Sequence, residues 1–478
     1  VQHGLDSWNS SFFCGSAAVL RRSCLEPIGG LAGTSITEDA ETSLRLHSMG
    51  YRSVYGGKPM VFGLQPETFE KFRGQRSRWA QGMVQIFLRL NPLRQKGLSN
   101  EQKLGYLNST MFWFFSYARL IFLLAPCAYL LFGLKIYDAS LEQFLLYAAP
   151  HLVGALIAAN LLFGRSRWAL VSELYESVQS FHSSAAITRA IANPDSPQFK
   201  VTDKGGEVEG EFVSPLVRPF LIVFFVLAAV LVAAYFRYSS LPVEREVVYI
   251  TTGWAVLNLI IILGGLGALL ERKQLRKAPR MRLSPAVDGV LRLDGRSFRC
   301  SLLELSMGGS AISLPDGEYS DLEPGAIGEL RTANGARGRA ARLPVRIVRV
   351  NAQSTTVSLA FINQSPMTRR HVVALGFGNS DNLRWGVERD DKSVGILKGL
   401  ATFSGISMRH GARLLVHMTR DTWKTIRPTL APAGASAKED KMHKKIPGGV
   451  DTSTEEKEGK AMSTSYRIAG LAVLVSVV

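Results

Sequence analysis

Gln75-Arg76-Ser77-Arg78-Trp79 lies downstream of Thr37-Glu38-Asp39 and a short way before a long apolar run, and its reading decides the fold. At helical spacing Gln75, Arg78 and Trp79 stand at i, i+3 and i+4, so all three project from one helix face. An amide, a guanidinium and an indole together suit a sugar next to a diphosphate. The amide and the planar fork bind oxygens, and the flat indole stacks on a pyranose face. A membrane span close behind such a site lets a product pass straight into the bilayer. Alone the pentapeptide decides little; in order with the motifs around it, it decides much.

The chain has 478 residues, room for two to four domains. It is basic, with 56 Lys+Arg against 39 Asp+Glu and a net charge of +17. That charge gathers beside apolar spans, which points to anionic lipid and phosphate ligands and away from nucleic acid. Cys14, Cys24, Cys127 and Cys300 form no CxxC pair, so neither a disulfide framework nor a zinc site is expected, as fits a reducing compartment. The sequence opens at Val1 in what reads as the middle of a domain, with no signal peptide, so a fragment is expected.

Four stretches are long and apolar enough to cross a bilayer, at about 111–134, 144–163, 217–237 and 248–270. The first holds Arg119 and Pro126, the second Pro150 and His151; such groups normally face protein or a wet cavity, although Arg119 alone can also snorkel. The segment after the last span carries Arg272, Lys273, Arg276, Lys277, Arg280 and Arg282, whereas the connections 135–143 and 238–247 are short and poor in basic residues. The positive-inside rule then makes 1–110, 164–216 and everything after 271 cytoplasmic. Residues 64–90, beginning behind Pro66, and 168–190 read as interfacial helices. Short β-rich runs at 287–293, 297–304, 309–314, 326–332, 342–351 and 355–362, parted by Gly and Asp-Gly turns, read as a small barrel. An amphipathic helix is expected over 393–418, a linker over 431–461, and an apolar segment shaped like the start of an export signal, or a plain apolar tail, over 462–478.

Thr37-Glu38-Asp39 sits where a helix should start, and Gly50 should end it. Thr37 suits the N-cap, placing Asp39 in the first turn, where free N–H groups and the dipole favour a carboxylate. Acidic residues there also occur for stability alone. As a general base for a sugar hydroxyl, Asp39 would have a low pKa, leaving positioning to supply much of the effect. Phe12-Phe13-Cys14-Gly15-Ser16 reads as strand and loop, with small residues where a backbone must approach a ligand and aromatics behind; core is the alternative. Cys14 has no His near it in sequence, against a nucleophilic thiol. Phe199-Lys200-Val201-Thr202-Asp203-Lys204-Gly205 is either a loop closing over a nucleotide or an ordinary exposed one. Arg272, Arg276 and Arg280 recur every four residues ahead of Glu304-Leu305-Ser306-Met307-Gly308-Gly309, able to grip phosphates and stack on guanines or, alternatively, to anchor in lipid.

These motifs, in this order over about residues 1–425, resemble the bacterial cellulose synthase catalytic subunit. The resemblance implies a mixed fold: a partial α/β, GT-A-like glycosyltransferase domain over 1–100, a transmembrane helical bundle over 104–270 with a gating loop at 193–210, a PilZ-type barrel over 271–378 and an amphipathic helical region over 379–425. It implies acceptor binding at Phe12, Cys14 and Gly15, catalysis at Thr37, Glu38 and Asp39 with Asp39 as base, and diphosphate and glucan binding at Gln75, Arg78 and Trp79. It implies gating by Phe199, Val201, Thr202, Lys204 and Gly205, and cyclic di-GMP binding through an RxxxR pair, Arg272 and Arg276 being favoured over Arg276 and Arg280. Ser306 and Gly309 match the second PilZ motif, while Glu304 stands where Asp or Asn is usual. UDP-glucose, Mg²⁺ with ligands upstream of residue 1, and a periplasmic accessory subunit are implied with it. The fragment alone is then expected to be inactive, in a multi-pass protein of the inner membrane. A non-catalytic cyclic di-GMP receptor, and a chitin- or hyaluronan-type synthase, are the alternatives.

Overall fold

The computed structural model describes residues 2–430 except 16, 58–62, 64, 136–138, 165–167, 196–205, 207, 275–277, 279, 316–321, 334–339, 352–354, 363–364 and 379–394. For 284, 285 and 421–430 it describes the backbone alone. The loop residues Phe199, Val201, Thr202, Lys204 and Gly205, together with Ser16, Arg276 and the tail 431–478, lie outside the described residues.

The longer helices are α1 (Glu38–Ser48) and α2 (Phe69–Leu90), then α3 (Asn100–Phe132) and α4 (Leu141–Phe163), α5 (Val171–Ala192), α6 (Pro215–Ser240) and α7 (Pro242–Ala268), α8 (Pro366–Phe377) and α9 (Ile396–Leu430). Helix α1 ends as the sequence predicts: Gly50 takes the left-handed conformation (φ 84°) just beyond it. Helix α2 starts later than expected, at Phe69 and not 64, because Thr68 accepts from the Lys71 N–H (3.4 Å) and fixes the cap there. Of the stretch Phe12–Ser16, read as strand and loop, Phe12–Gly15 forms no strand. Just before it, side chains take the backbone carbonyls: Ser53 Oγ donates to that of Ser11 (2.7 Å) and Gln102 Nε2 to that of Asn9 (3.0 Å).

Helices α3, α4, α6 and α7 are long and apolar enough to cross a membrane. Leu123, Phe220, Leu227, Val230, Ile262 and Leu266 pack α3, α6 and α7 into one core. Pro126 lacks an N–H, so the Phe122 carbonyl one turn earlier loses its helical donor. Asn258 of α7 supplies one, its Nδ2 reaching that oxygen at 3.0 Å. Arg119 faces protein, forming a 2.5 Å ion pair with Glu176 of α5. Pro150 and His151 also depart from expectation, since α4 has no buried residue and both are exposed.

All six expected barrel strands form, as β3 (Met281–Leu293), β4 (Arg296–Ser306), β5 (Gly309–Ser313), β6 (Ile327–Thr332), β7 (Ala341–Asn351) and β8 (Thr356–Phe361). They close in the order β3-β4-β5-β8-β7-β6 around Leu291, Leu302, Ile312, Leu330, Leu343, Val345 and Val357, all fully buried. Alternation of inward apolar and outward polar residues, clearest along β7, produces this. Helix α8 plugs the barrel with Val372 and Leu375. A short antiparallel pair, β1 (Phe212–Val213) with β2 (Leu270–Glu271), joins the stem of the barrel to the segment entering α6. The Gln274 N–H adds a bond to the Val208 carbonyl (2.9 Å), and Glu271 Oε1 accepts from the Phe69 N–H at the head of α2 (2.6 Å).

Candidate active site

Asp39 lies in the first turn of α1. Its Oδ1 accepts from the Ala40 N–H (2.8 Å), and the Gly15 N–H lies near enough to favour the charged carboxylate. Gly15, at φ 73°, adopts a conformation that glycine reaches without strain. The loop Phe12–Gly15 and the head of α1 therefore meet, although the chain separates them. Burial pushes the Asp39 carboxyl above its ordinary value, and neighbouring Glu38 adds to the rise; the backbone N–H groups of Ala40, Asp39 and Gly15 oppose it. Desolvation here outweighs the N-terminal amides, so the carboxyl stands above its ordinary value where the helix dipole alone would lower it. The Cys14 thiol is pushed up by burial and by Asp39, so it stays a neutral thiol.

Thr37 occupies the N-cap position, but its hydroxyl makes no cap bond. Its side chain is pressed instead against α2 at Gly82, where an added Cβ would fall 2.6 Å from Thr37 Oγ1 and Cγ2. A glycine here lets α2 approach the head of α1 at contact distance, and Arg78, one turn earlier, comes within Coulombic reach of Glu38. Burial draws the Arg78 guanidinium down, while Glu38 raises it. Gln75 is half-buried on the same helix, and Trp79 is 41% exposed beside the buried Ala80. Glu38 thus stands between Asp39, which neighbours Gly15, and Arg78 of α2, with an exposed indole one residue beyond Arg78.

Sequence reasoning missed Arg76. Its guanidinium lies 5.4 Å from the Trp79 ring centroid, 5.0 Å from Trp113 and 5.5 Å from Tyr175, and its Nε donates to Gln179 Oε1 (2.6 Å). A cation among three rings fixes the indole from within. The adjacent arginine inside the pentapeptide was the available signal; spacing alone did not show that it turns toward α3 and α5. Among the described residues no group of three or more His, Cys, Asp or Glu is placed to hold a metal ion.

On the barrel, Arg280, Glu304, Ser306 and Gly309 line one pocket of about 210 Å³. A bulge between Leu302 and Glu304 turns the Glu304 carboxylate toward Arg280 (3.6 Å). Ser306 Oγ donates to the Gly309 carbonyl (3.1 Å) across the hairpin. Any side chain at Gly309 would strike the Leu359 carbonyl, 2.1 Å from its Cβ position. Arg272, favoured from sequence, is not on this pocket; its Nη2 meets His410 Nδ1 of α9 (3.0 Å). Arg280, which immediately precedes β3, lines the pocket, whereas Arg272 lies in the stem.

With this geometry in view, residues 6–163 match the family described as glycosyl transferase family group 2, and residues 274–378 match the PilZ domain. The cellulose synthase catalytic subunit (UDP-forming) of Pseudomonas fluorescens is 34% identical over 405 residues, 83% of this chain and 54% of that one. Over most of its length the chain is similar to cellulose synthase catalytic subunits. The corresponding cellulose synthase 1 subunit of Komagataeibacter xylinus is 33% identical over 87% of this chain and 56% of its own length. The chain spans about half the length of the curated relatives it matches. A solved PilZ domain of YcgR from Escherichia coli, with c-di-GMP, aligns over 24% of this chain and 100% of that one at 20% identity and a TM-score of 0.21.

Proposed function

We propose that the chain is the acceptor-side, membrane-spanning and regulatory portion of a processive synthase that polymerises glucose from UDP-glucose into β-1,4-glucan. The observation carrying this reading is that Glu38 bridges Asp39, which neighbours Gly15, and Arg78 of α2, the residue before the exposed Trp79. Asp39, its basicity raised by burial, takes the proton from the 4-hydroxyl of the glucan end as that oxygen bonds to the anomeric carbon. The bond from that carbon to the diphosphate breaks on the opposite face, inverting the centre, and Arg78 balances the charge that leaves on UDP. Gln75 binds diphosphate oxygens, Trp79 stacks the terminal sugar, and Phe12, Cys14 and Gly15 shape the acceptor side. Mg²⁺, where bound, would further offset diphosphate charge.

Contacts joining Phe69 to Glu271 and Arg272 to His410 support a single cytoplasmic side for the sugar site, the stem and α9, in agreement with the basic residues after α7. An inner-membrane location, contact with its lipids and association with a periplasmic accessory subunit belong to this reading. Cyclic di-GMP binds the barrel through Arg280, Glu304, Ser306 and Gly309, Arg272 and Arg276 being the further candidate arginines, and acts on the loop bearing Phe199, Val201, Thr202 and Lys204. The deciding experiment is labelled-polymer synthesis by full-length protein in nanodiscs, from UDP-glucose and from UDP-GlcNAc, with and without cyclic di-GMP. Effector-stimulated β-1,4-glucan is the expected product. Polymer from UDP-GlcNAc alone, or none from a full-length protein that binds the effector, would overturn the assignment.

A further inference from the structure

Two side chains one turn apart on α2 reach the same two backbone segments. Gln85 is 3% exposed; its Oε1 accepts from the Ile36 N–H (3.0 Å) and its Nε2 donates to the Pro194 carbonyl (2.7 Å). Arg89 repeats the bridge, donating through Nη1 to the Thr34 carbonyl and through Nη2 to the Pro194 carbonyl (3.2 Å), and pairing with Asp195. Both partners of Gln85 are backbone groups of fixed polarity, so only one orientation of its amide satisfies them. The turn Asn193–Asp195 is itself braced, the Asp195 N–H donating to Asn193 Oδ1 (3.1 Å).

Ile36 is bonded directly to Thr37, whose side chain already rests on Gly82. Helix α2 therefore fixes the approach to Asp39 at successive turns, through Gly82, Gln85 and Arg89, while the last two also hold the end of α5. A general base must stand within hydrogen-bond reach of the proton it removes, and small displacements cost rate steeply. The length of a glutamine suits this bridge; a shorter side chain would leave the Ile36 N–H and the Pro194 carbonyl without these partners.

We propose that Gln85 and Arg89 are positioning residues for sugar transfer, clamping the Thr34–Ile36 loop and the Asn193–Asp195 turn to one helix so that Asp39 stands at its working distance. This rests on the reading of Asp39 as the base. Neither residue is assigned contact with substrate.

The test uses full-length synthase in nanodiscs, with kcat and KM for UDP-glucose measured for Gln85→Ala, Gln85→Glu, Arg89→Ala, Arg89→Lys, Asp195→Asn and Asp39→Asn. Gln85→Ala should lower kcat at least tenfold with KM within about twofold, a split that general loosening of the donor site would not give. Gln85→Glu keeps the acceptor for Ile36 but turns a second oxygen on Pro194, and should lose activity too. Arg89→Lys should recover part of what Arg89→Ala loses. Arg89→Ala with Asp195→Asn should be no worse than Arg89→Ala alone, because the two share one interaction. Should Gln85→Ala fail to fold, the exposed Asp195→Asn and the Arg89 pair decide. Wild-type kcat in the Gln85 and Arg89 variants, with Asp39→Asn inactive, would overturn the clamp and leave the base standing. Full synthesis by Asp39→Asn would instead remove the base.

Discussion

The sugar-side cluster and the barrel pocket both bind phosphate-bearing ligands in the proposed function, yet they are built in opposite ways. The first draws Gly15, Asp39 and Arg78 from three separate segments and depends on burial to tune its carboxylate. The second takes Glu304, Ser306 and Gly309 from one hairpin, adds Arg280 from the neighbouring strand's start, and leaves its ion pair roughly half exposed. A site assembled by tertiary contact concentrates its energetic risk in packing. A site carried on one hairpin concentrates it in individual ligand contacts.

The sharpest way to break this contrast is Asp39→Asn. Removing a general base should cost about 10²–10⁴ in kcat, read as labelled polymer. The same change should raise thermal stability at neutral pH. Asp39 has a raised folded pKa, so its stabilising contribution is complete below the ordinary carboxylate value and is lost as pH rises through the folded one; asparagine carries no charge to desolvate. Activity lost together with thermal stability would point to collapse of the site.

Next in size is acid sensitivity beneath the sugar site. His47 is buried between the Tyr106 hydroxyl (2.8 Å) and Ser53 Oγ (3.0 Å), and burial pushes its pKa down to about 4. With the folded value depressed, stability is lost as pH falls from the unfolded value near 6.5 toward 4. That loss is on the order of 3 kcal/mol, and His47→Gln should flatten the curve of Tm against pH across that window.

A glycine comparison sharpens the packing argument. Gly82→Ala forces a methyl onto Thr37 and should cost about 1–3 kcal/mol with a fall in kcat. Gly308→Ala, which meets nothing within 4 Å, should be silent in both. Equal Tm values would sink the claim that α2 approaches α1 at contact distance. Smaller again is Glu304→Ala, expected to change cyclic di-GMP affinity by about 1–2 kcal/mol through loss of the Arg280 pair while leaving Tm within about 0.5 kcal/mol; calorimetry checks both. Smallest is Arg76→Lys, which keeps the charge but loses the planar stack on Trp79, Trp113 and Tyr175 and should shift the KM for glucan acceptors about threefold to tenfold.

The barrel could be read from sequence almost strand for strand, because alternation and turn residues are local signals. Helix α8 was overlooked, though Ser365 before Pro366, a cap followed by proline at the first turn, announces it. The four spans were legible from length and hydropathy, but their polar residues were not: Arg119 answers to Glu176, which lies on another helix. At the sugar site the motif residues could be named in advance. Their pairing through Gly15 and Gly82, the raised Asp39 carboxyl and the roles of Arg76 and Gln85 could not, because each depends on which surfaces meet.

The bond from Asn258 to the carbonyl that Pro126 orphans makes two distant positions behave as one inherited character. A chain that mutates the proline regains a helical donor for that oxygen and leaves a surplus amide in hydrocarbon. One that mutates the asparagine strands the oxygen. Descendants should therefore keep both or exchange both, and a double replacement should be gentler than the single loss of the asparagine.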